Sequence, residues 1–271
     1  MAEIIMEKNS TGEIATIWLN RVEKRNALNY ALLKGLNDAL DALSQDAEVR
    51  VVLLRAKGPH FSGGIDLGML AGQDPGAPKV SRDPMPVRYV LSTILQPIFT
   101  KITMLEKPII AIIDGICFGS GFELILACDF RFATKDAIFQ MREALLGIIS
   151  DLGGTTRVCR LVNPSVAKEV IIAARKFDGA RAAQVGLVNG VADTLDEAER
   201  MALDLANDLM ACAPMAVGMG KRLIDTIWGQ SDASGLVQEG LTNAVLVNTK
   251  DFTRGLAAMM DKSGPPKWKG K

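Results

Sequence analysis

The sequence contains a single histidine, and this scarcity narrows the chemistry that the protein can perform. A Ser–His–Asp triad or a multi-histidine metal site would have to be built around His60 alone. His60 lies in the turn-like segment "GPHFSGG", where we expect a solvated loop histidine. If the protein is an enzyme, carboxylates are therefore the expected acids and bases.

Long apolar runs and an excess of charge of one sign are also missing. No run of 18 or more uncharged apolar residues occurs, so a membrane span is not expected. The first residues, "MAEIIMEKNS", are too charged and too few for a signal peptide. Lys plus Arg and Asp plus Glu each number 31, whereas a nucleic-acid binder usually has a basic excess or stripe. We therefore expect neither a membrane nor a nucleic acid among the partners.

The four cysteines are scattered without the spacing of a metal site: Cys117, Cys128, Cys159 and Cys212. Three of them have apolar neighbours, which predicts buried free thiols in a reducing compartment. The 271 residues, 48% of them apolar, are enough for one large domain, or for a large domain with a smaller partner. We expect a cytoplasmic protein.

Short β-rich segments alternate with helical patterns in the first two thirds of the chain. Strands are predicted at residues 13–20, 49–56, 107–115 and 128–134. An amphipathic helix is predicted between the first two strands, because leucines recur there every three or four residues, at Leu28, Leu32, Leu36, Leu40 and Leu43. A further helix is predicted at residues 95–106, and a Pro/Gly-rich loop at 68–86. This alternation predicts an α/β fold with parallel strands.

From about Thr194 onward the pattern is helical only, with four successive amphipathic segments. Their apolar faces are broad and must cover the core or another subunit; they include Met201, Leu205, Leu209 and Met219. We therefore divide the chain into a core of residues 1–195 and a helical C-terminal region of residues 196–271.

The first of two glycine-rich turns, "HFSGGIDL", follows the predicted strand 49–56. Gly63 and Gly64 permit positive φ and close approach of the backbone, so the amide of Ile65 can face a ligand. Asp66 would lie at the N-terminus of a short helix, where its negative charge is favoured. A plain turn capped by Asp66 is the alternative interpretation.

The second turn, "CFGSGFELILACDF", places Gly119 and Gly121 on either side of Ser120. Ser120 and Glu123 also match a capping box, in which the serine is the N-cap and the glutamate bonds back to its amide. The flanking glycines exceed what a cap requires and suit an amide that a ligand approaches closely. Together with Ile65, the Ser120 amide would form an oxyanion hole.

Two more carboxylates follow in "FQMREALLGIISDLGG", namely Glu143 and Asp151. Glu143 has largely apolar neighbours, and a partly buried carboxyl has a raised pKa that suits acid–base catalysis near neutral pH. The alternatives are that Glu143 pairs with Arg142 at the surface and that Asp151 caps a turn.

Five segments, in order from about Ile14 to the C-terminus, resemble the crotonase family, the enoyl-CoA hydratase/isomerase group. They are "LNRVEKRNALN", "HFSGGIDL", "CFGSGFELILACDFRFAT", "REALLGIISDLGG" and "GLAAMMDKSGPPKWKG". The chain departs from the family at Val22, usually proline, and at Ser120, usually glycine. The resemblance implies a spiral of ββα turns, a C-terminal helical trimerisation region, an acyl-CoA ligand, and a homotrimer or a hexamer built as a dimer of trimers.

The resemblance also implies roles for individual residues. The oxyanion-hole amides fall on Ile65 and Ser120, and Glu123 and Glu143 match the two glutamates of enoyl-CoA hydratases. Asp151 falls where hydratases commonly have glycine and matches an aspartate of the dienoyl-CoA isomerase branch. That branch shares the "SGIDL" turn but has aspartate at the position of Glu123.

Contacts with the substrate and its CoA are implied in the same segments. They fall on Arg25, Ala27, Leu28, Ser62, Gly64, Asp66, Leu67, Phe118, Gly119 and Lys262. Lys262 matches a C-terminal basic residue that contacts CoA, whereas the neighbouring aromatic residue of the family is Met259 here.

These features favour an enzyme that hydrates trans-2-enoyl-CoA by carboxylate acid–base catalysis, without a metal or redox cofactor. Isomerisation of a dienoyl-CoA (Δ3,5 to Δ2,4) is the close alternative, because Asp151 adds a third carboxylate. A CoA thioester hydrolase and a non-catalytic acyl-CoA-binding trimer are the further alternatives.

Overall fold

The computed structural model describes residues 2–79 and 83–271. In these residues, strands that form two β-sheets alternate with helices along the chain. The nine strands of these residues are β1 (Ile4–Lys8), β2 (Ile14–Leu19), β3 (Val51–Ala56), β4 (Ile109–Ile113), β5 (Ile116–Phe118), β6 (Phe130–Thr134), β7 (Ile138–Gln140), β8 (Phe177–Asp178) and β9 (Gly190–Ala192). The larger sheet has the order β1-β2-β3-β4-β6-β9, and the smaller has the order β5-β7-β8.

The larger sheet is parallel apart from the first pair. β1 runs antiparallel to β2, and every later neighbour is parallel, with Val52 opposite Ile109 and Ile110 opposite Phe130. All five residues of β4 are buried, as expected for a central strand covered on both faces. The predicted α/β fold with parallel strands is therefore confirmed.

Helices cover both faces of this sheet. Those that precede the C-terminal region are α1 (Tyr30–Gln45), α2 (Leu67–Leu70), α3 (Pro84–Val90), α4 (Gln96–Met104), α5 (Ser120–Ala127), α6 (Gly154–Leu161), α7 (Pro164–Ile171) and α8 (Gly179–Gln184). Short 3₁₀ turns occupy Val22–Lys24 and Glu143–Leu146, and a π turn, Leu91–Leu95, joins α3 to α4.

Helix α1 shows how the leucine periodicity is used. Leu32, Leu36, Leu40 and Leu43 are buried on one face of it, and Asn29 caps its start by accepting a hydrogen bond from the Leu32 amide. Leu28 was predicted to belong to this helix, but it precedes the cap. It forms a short parallel bridge with Ile65 instead.

The predicted loop at residues 68–86 is partly wrong. Gly68 lies in α2, and Pro84 begins α3, where a proline at the first helical position loses no internal hydrogen bond. Residues 80–82 of this segment lie outside the described residues.

The C-terminal part contains α9 (Leu195–Met210), α10 (Pro214–Ile227), α11 (Asp232–Leu246) and α12 (Lys250–Asp261). The N-terminus of α9 is closed by a capping box between Thr194 and Glu197. Its alanines Ala198, Ala202 and Ala206 are fully buried against the larger sheet. Although the predicted boundary at 195/196 assigns α9 to the C-terminal region, this helix covers the core.

Helices α10 to α12 leave much apolar surface uncovered in the single chain. The exposed apolar side chains there include Ile224, Trp228, Leu236, Val237, Leu241, Val245, Phe252, Leu256, Met259 and Met260. Within the described chain, no helix combines the length and the apolar composition needed to cross a membrane.

The cysteine prediction is only partly right. Cys117 and Cys128 are buried free thiols, whereas Cys159 and Cys212 are exposed. Cys159 lies on the exposed face of α6, whereas its apolar neighbour Val158 is buried.

Candidate active site

The two glycine-rich turns lie against each other, each at the carboxyl end of a strand. The amide of Ser62 donates to Ile116 O (3.0 Å), and the amide of Phe118 donates to Ser62 O (3.0 Å). Gly64 has a φ of +96°, and a methyl group added there would lie 2.9 Å from the carbonyl oxygen of Phe118. The close approach of the two turns therefore requires glycine at this position.

Asn26 anchors the first turn, although it was not among the predicted site residues. Its side-chain amide donates to the carbonyl oxygens of Lys57 (2.9 Å) and His60 (2.8 Å), and its own carbonyl accepts from Ser62 Oγ (2.8 Å). Asn26 is buried and has a φ of +52°, which asparagine tolerates better than most residues. The sequence signal was the asparagine inside "RNALN".

His60 contacts the backbone beside the second turn and is not part of a catalytic triad. Its Nδ1 faces the amide of Ile116 at 3.4 Å, and its carbonyl is held by Asn26. A methyl group on Gly115 would lie 2.6 Å from that ring nitrogen. The expectation of a loop histidine without a catalytic part agrees with this position, although the side chain is half-buried and not fully solvated.

The second turn does not form the capping box that its sequence permits. The N-cap of α5 is Gly119, with φ +48° and ψ −123°, a conformation that glycine adopts far more readily than other residues. Ser120 is the first helical residue. The Glu123 side chain does not bond back to the cap; it accepts hydrogen bonds from the amides of Leu152 and Gly154 instead.

Two backbone amides at the meeting point of the turns are unpaired. Within the described residues, neither the Ile65 amide nor the Ser120 amide donates a hydrogen bond to the protein. Ser120 begins a helix, whose first amides have no partner within the helix and carry a partial positive charge. Both amides belong to turns that glycine packing fixes in place.

Glu123 lies in α5, three residues after Ser120, and is completely buried. Its Oε1 accepts from the amides of Leu152 (2.9 Å) and Gly154 (2.8 Å), whereas its Oε2 is buried without a partner. Burial raises the pKa of Glu123 to about 7, helped by repulsion from Glu143 and Asp151 and opposed by the two amides. This carboxyl can therefore gain or lose a proton near neutral pH.

Glu143 approaches from the 3₁₀ turn that follows β7. It is buried, and a methyl group on Gly119 would lie 2.8 Å from its Oε1. Its Oε2 is buried without a partner, and burial raises its pKa. No ion pair joins Glu143 to Arg142 or to another described cation, so the surface-pair interpretation is wrong; the Arg142 guanidinium lies 5.3 Å from the centre of the Phe118 ring.

Asp151 is half-buried at the start of the "SDLGG" turn, whose following residues hold Glu123. Burial raises its pKa, and its charge raises the pKa values of both glutamates. Its carbonyl accepts from Gln96 Nε2 (2.7 Å). Gly153 is the N-cap of α6, so Asp151 does not cap that helix.

Arg157 supports this turn from α6 and was missed in the sequence. Its guanidinium donates to Leu152 O (2.8 Å), and a methyl group on Gly153 would overlap it. Burial lowers the pKa of Arg157, and the nearby Glu123 opposes this effect.

Three of the predicted ligand-contact side chains are committed to the fold. Leu28 is fully buried, and both its backbone groups are bonded, to Gly64 and Asp66. Ser62 is buried, and its hydroxyl links Asn26 O to the Gly64 amide. Asp66 caps α2, as the plain-turn interpretation predicted, and it also forms an ion pair with Arg21 (2.5 Å).

Four of the other seven predicted contacts keep accessible groups near the turns, whereas Gly64 and Gly119 are buried. Arg25 and Leu67 are exposed, and Ala27 and Phe118 are half-buried. Lys262 ends α12 in a left-handed conformation, and no contact among the described residues joins it to the turns.

Comparison with known proteins agrees with this fold. The family model described as enoyl-CoA hydratase/isomerase matches residues 9–271. The probable enoyl-CoA hydratase 2, mitochondrial, of Arabidopsis thaliana is 37% identical over 257 residues, which cover 94% of this chain and 82% of the relative. The mitochondrial Delta(3,5)-Delta(2,4)-dienoyl-CoA isomerase of Mus musculus is 32% identical over 268 residues, covering 96% and 80%.

A crystal structure of an enoyl-CoA hydratase from Bacillus anthracis matches with a TM-score of 0.89 at 32% identity, and it covers 99% of this chain and 100% of that chain. The chain therefore belongs to the enoyl-CoA hydratase/isomerase, or crotonase, family, and it has the crotonase fold. Membership in this family supports an enzyme of the lyase or isomerase type that acts on an acyl-CoA substrate.

Proposed function

We propose that this protein hydrates a trans-2-enoyl-CoA. The observation that supports hydration best is the pair of buried glutamates, Glu123 and Glu143, each with one free carboxyl oxygen. They lie beside the turn that presents the unpaired Ser120 amide. Two free acceptors at one site suit a water molecule, which has two protons to donate.

The unpaired amides of Ile65 and Ser120 provide the second element of the proposal. They bind the thioester oxygen and stabilise the negative charge that develops there when the double bond is attacked. Removing one donor from such a site typically costs about 10²–10³-fold in rate.

The two glutamates divide the proton transfers. Ionised Glu123 takes a proton from water as the water oxygen bonds to Cβ, and the double-bond electrons move toward the thioester oxygen. Protonated Glu143 then gives its proton to Cα as those electrons return, so that one H₂O has been added. Raised pKa values in both residues support this division, since each must hold and release a proton near neutral pH.

Dienoyl-CoA isomerisation is the second candidate, and Asp151 is the observation that favours it. Moving a conjugated diene requires a proton to leave one carbon and another to arrive at a distant carbon. Glu143 is the first residue of the four-residue 3₁₀ turn, and Asp151 follows that turn. The Glu143 carboxyl is buried, the Asp151 carboxyl is half-buried, and burial raises the pKa of both. Relatives of about one-third identity include both a hydratase and an isomerase.

Asp151→Asn separates the two candidates. We expect hydration of a short enoyl-CoA to fall little, because Asp151 has no required proton to move. If the isomerase reading is right, dienoyl-CoA isomerisation falls by roughly 10²-fold or more. The measurement is kcat/KM for both substrates, with the melting temperature as a check on folding. Equal losses in both reactions would assign Asp151 a structural task.

The remaining alternatives are distinguished by the product. Thiol release from the CoA ester indicates a hydrolase. A binding trimer without chemistry leaves every enoyl- and dienoyl-CoA of a substrate panel unchanged. Burying unpaired carboxyl groups lowers the stability of the folded protein. A protein that only binds acyl-CoA has no need to keep them, so their presence argues against such a trimer.

The proposed assembly is a homotrimer, alone or paired into a hexamer. The exposed apolar side chains of α10, α11 and α12 support it, since oligomers bury such surface between subunits. A monomeric mass by light scattering at micromolar concentration would contradict it. The absence of a required cofactor and a cytoplasmic location stay predictions; both relatives described above are named as mitochondrial.

A further inference from the structure

Unpaired polar atoms cluster at the candidate active site. Buried polar side-chain atoms without a hydrogen-bond partner are uncommon in folded proteins. In the part of the chain that the structure describes, two of them belong to the carboxyls of the site, and two belong to the segment whose amides bind Glu123. These four atoms belong to Glu123, Glu143, Ser150 and Thr155. Ser150 has no part in the reaction proposed above, and its hydroxyl is the atom that calls for an explanation.

Ser150 and Glu123 occupy one packing space. A methyl carbon placed on Gly154 would lie 2.9 Å from Ser150 Cβ, 2.9 Å from Glu123 Oε1 and 2.8 Å from Glu123 Cγ. Because both atoms lie 2.9 Å from the same point, Ser150 Cβ and Glu123 Oε1 are close neighbours beside Gly154. Ser150 is 6% exposed and Glu123 is 0% exposed, so bulk water solvates neither side chain.

The hydrogen-bonding capacities of the two groups are complementary. Oε1 of Glu123 already accepts from Leu152 and Gly154, whereas Oε2 is free. An ionised carboxylate only accepts hydrogen bonds, and a serine hydroxyl can donate one. A free buried donor and a free buried acceptor in one space are each costly unless they are joined.

We propose that Ser150 is a positioning residue for Glu123, whose hydroxyl donates to the free Oε2 after a side-chain rotation or through one bridging water. The proposal rests on the proposed function only in giving Glu123 the task of base. The hydrogen bond orients the carboxylate and favours its ionised form, which is the form that takes a proton from water. A bridging water of this kind binds nearly as well as a direct contact.

The other charged groups that face Glu123 come from three elements. They are Glu143 of the 3₁₀ turn, Asp151 of the "SDLGG" turn and Arg157 of α6. The two carboxyls oppose ionisation of Glu123, and the guanidinium favours it. Ser150 adds a neutral hydrogen-bond donor to these charged groups. Its removal should therefore make ionisation of Glu123 less favourable without changing the net charge of the site.

The test is a titration of the Glu123 carboxyl itself, which does not depend on activity. Protein labelled with side-chain carboxyl ¹³C-glutamate is titrated by NMR, and the Glu123 signal is assigned by its loss in Glu123→Gln. We expect Ser150→Ala to raise the pKa of Glu123 by about one unit, the size expected for a lost hydrogen bond to a charged group. Ser150→Thr, which keeps a hydroxyl, should leave the pKa close to that of the wild type.

Thr155→Val is the matched control, because it removes the other buried unpaired hydroxyl of this segment. It should leave the Glu123 pKa unchanged. An unchanged pKa in Ser150→Ala, or an equal shift in Thr155→Val, overturns the proposal. If Ser150→Ala does not fold, the isosteric Ser150→Cys, a weak donor, is titrated against Ser150→Thr with the same expectation.

Kinetics provide a separate readout of the same idea. In Ser150→Ala the acidic limb of the pH profile of kcat/KM for hydration should move to higher pH by the same amount. The loss should be about 10-fold at pH 6 and should disappear above pH 9. A wild type without hydratase activity contradicts the proposed function and leaves the NMR result to decide about Ser150.

Discussion

Glu123 is an ionisable group in a fully buried position, and replacing it should separate activity from stability. Its pKa of about 7 in the folded protein lies above the ordinary value of 4.5. The folded state therefore binds this proton more tightly than the unfolded state. The stability that this provides is present in full below pH 4.5 and is lost as the pH rises through 7.

The magnitude follows from the shift. Two and a half pH units correspond to roughly 3 kcal/mol of unfolding free energy at pH 8, relative to pH 4.5. Glu123→Gln removes this penalty and keeps an oxygen for the amides of Leu152 and Gly154. Its new NH₂ group lies where Oε2 lacked a protein partner, which costs about 1 kcal/mol.

Glu123→Gln should therefore gain roughly 2 kcal/mol at pH 8, or about 4–8 °C in Tm, and lose about 1 kcal/mol at about pH 4.5, where only the cost of the unpaired NH₂ group remains. Its hydratase activity should fall by about 10²–10⁴-fold, the usual effect of losing a general base. Thermal unfolding across pH 4.5–8 measures the first effect, with the exposed Glu23→Gln as the control. A difference in Tm from wild type that does not change with pH would refute the assignment of a buried, charge-penalised Glu123.

Three further predictions concern packing and binding. Gly64→Ala should lower stability by about 1–3 kcal/mol and reduce activity strongly, because the residue has a φ of +96° and its methyl group would press on Phe118 O; a wild-type Tm and rate would show that the turns are not in close contact. Lys221→Met should lower the unfolding free energy by about 3–5 kcal/mol, because Lys221 Nζ lies 2.8 Å from Asp129 Oδ2 and its loss leaves that carboxylate without a cation. A Tm within about 2 °C of the wild type would contradict a buried ion pair. Lys262→Ala should raise KM for the CoA ester and leave kcat nearly unchanged, since a contact with CoA phosphates stabilises the ground state and the transition state alike; a large loss of kcat at constant KM would place this residue in the chemistry.

Local sequence patterns predicted the elements that depend on local periodicity. The leucine spacing located α1, and the buried β-branched run located β4, each within two or three residues of its observed ends. Leu28 continued the helical spacing but was excluded from α1, because the Asn29 cap and the bridge to Ile65 fix it outside. Spacing alone does not reveal such a long-range bridge.

The candidate site depended more on contacts between distant segments. Ser120 and Glu123 fit a capping box in sequence, but Glu123 binds amides 29 and 31 residues further along the chain. Asn26 was missed for the same reason, since it binds the carbonyl groups of Lys57 and His60, which the fold brings to it. Arg157 was missed although its partner, the carbonyl of Leu152, is only five residues away. Sequence patterns indicated the three carboxylates, the resemblance to the family implied their roles, and the structure showed their burial and the unpaired oxygens of the two glutamates.

The central claim is that Glu123 and Glu143 add water to an enoyl thioester. It is tested most directly by incubating the wild type and Glu143→Gln with a short trans-2-enoyl-CoA in H₂¹⁸O, and by measuring ¹⁸O in the 3-hydroxyacyl product. The account predicts one ¹⁸O atom per product from the wild type, and a rate lower by about 10²-fold or more in Glu143→Gln. Equal rates in the two proteins, or a wild type that leaves the enoyl-CoA unchanged, would contradict it.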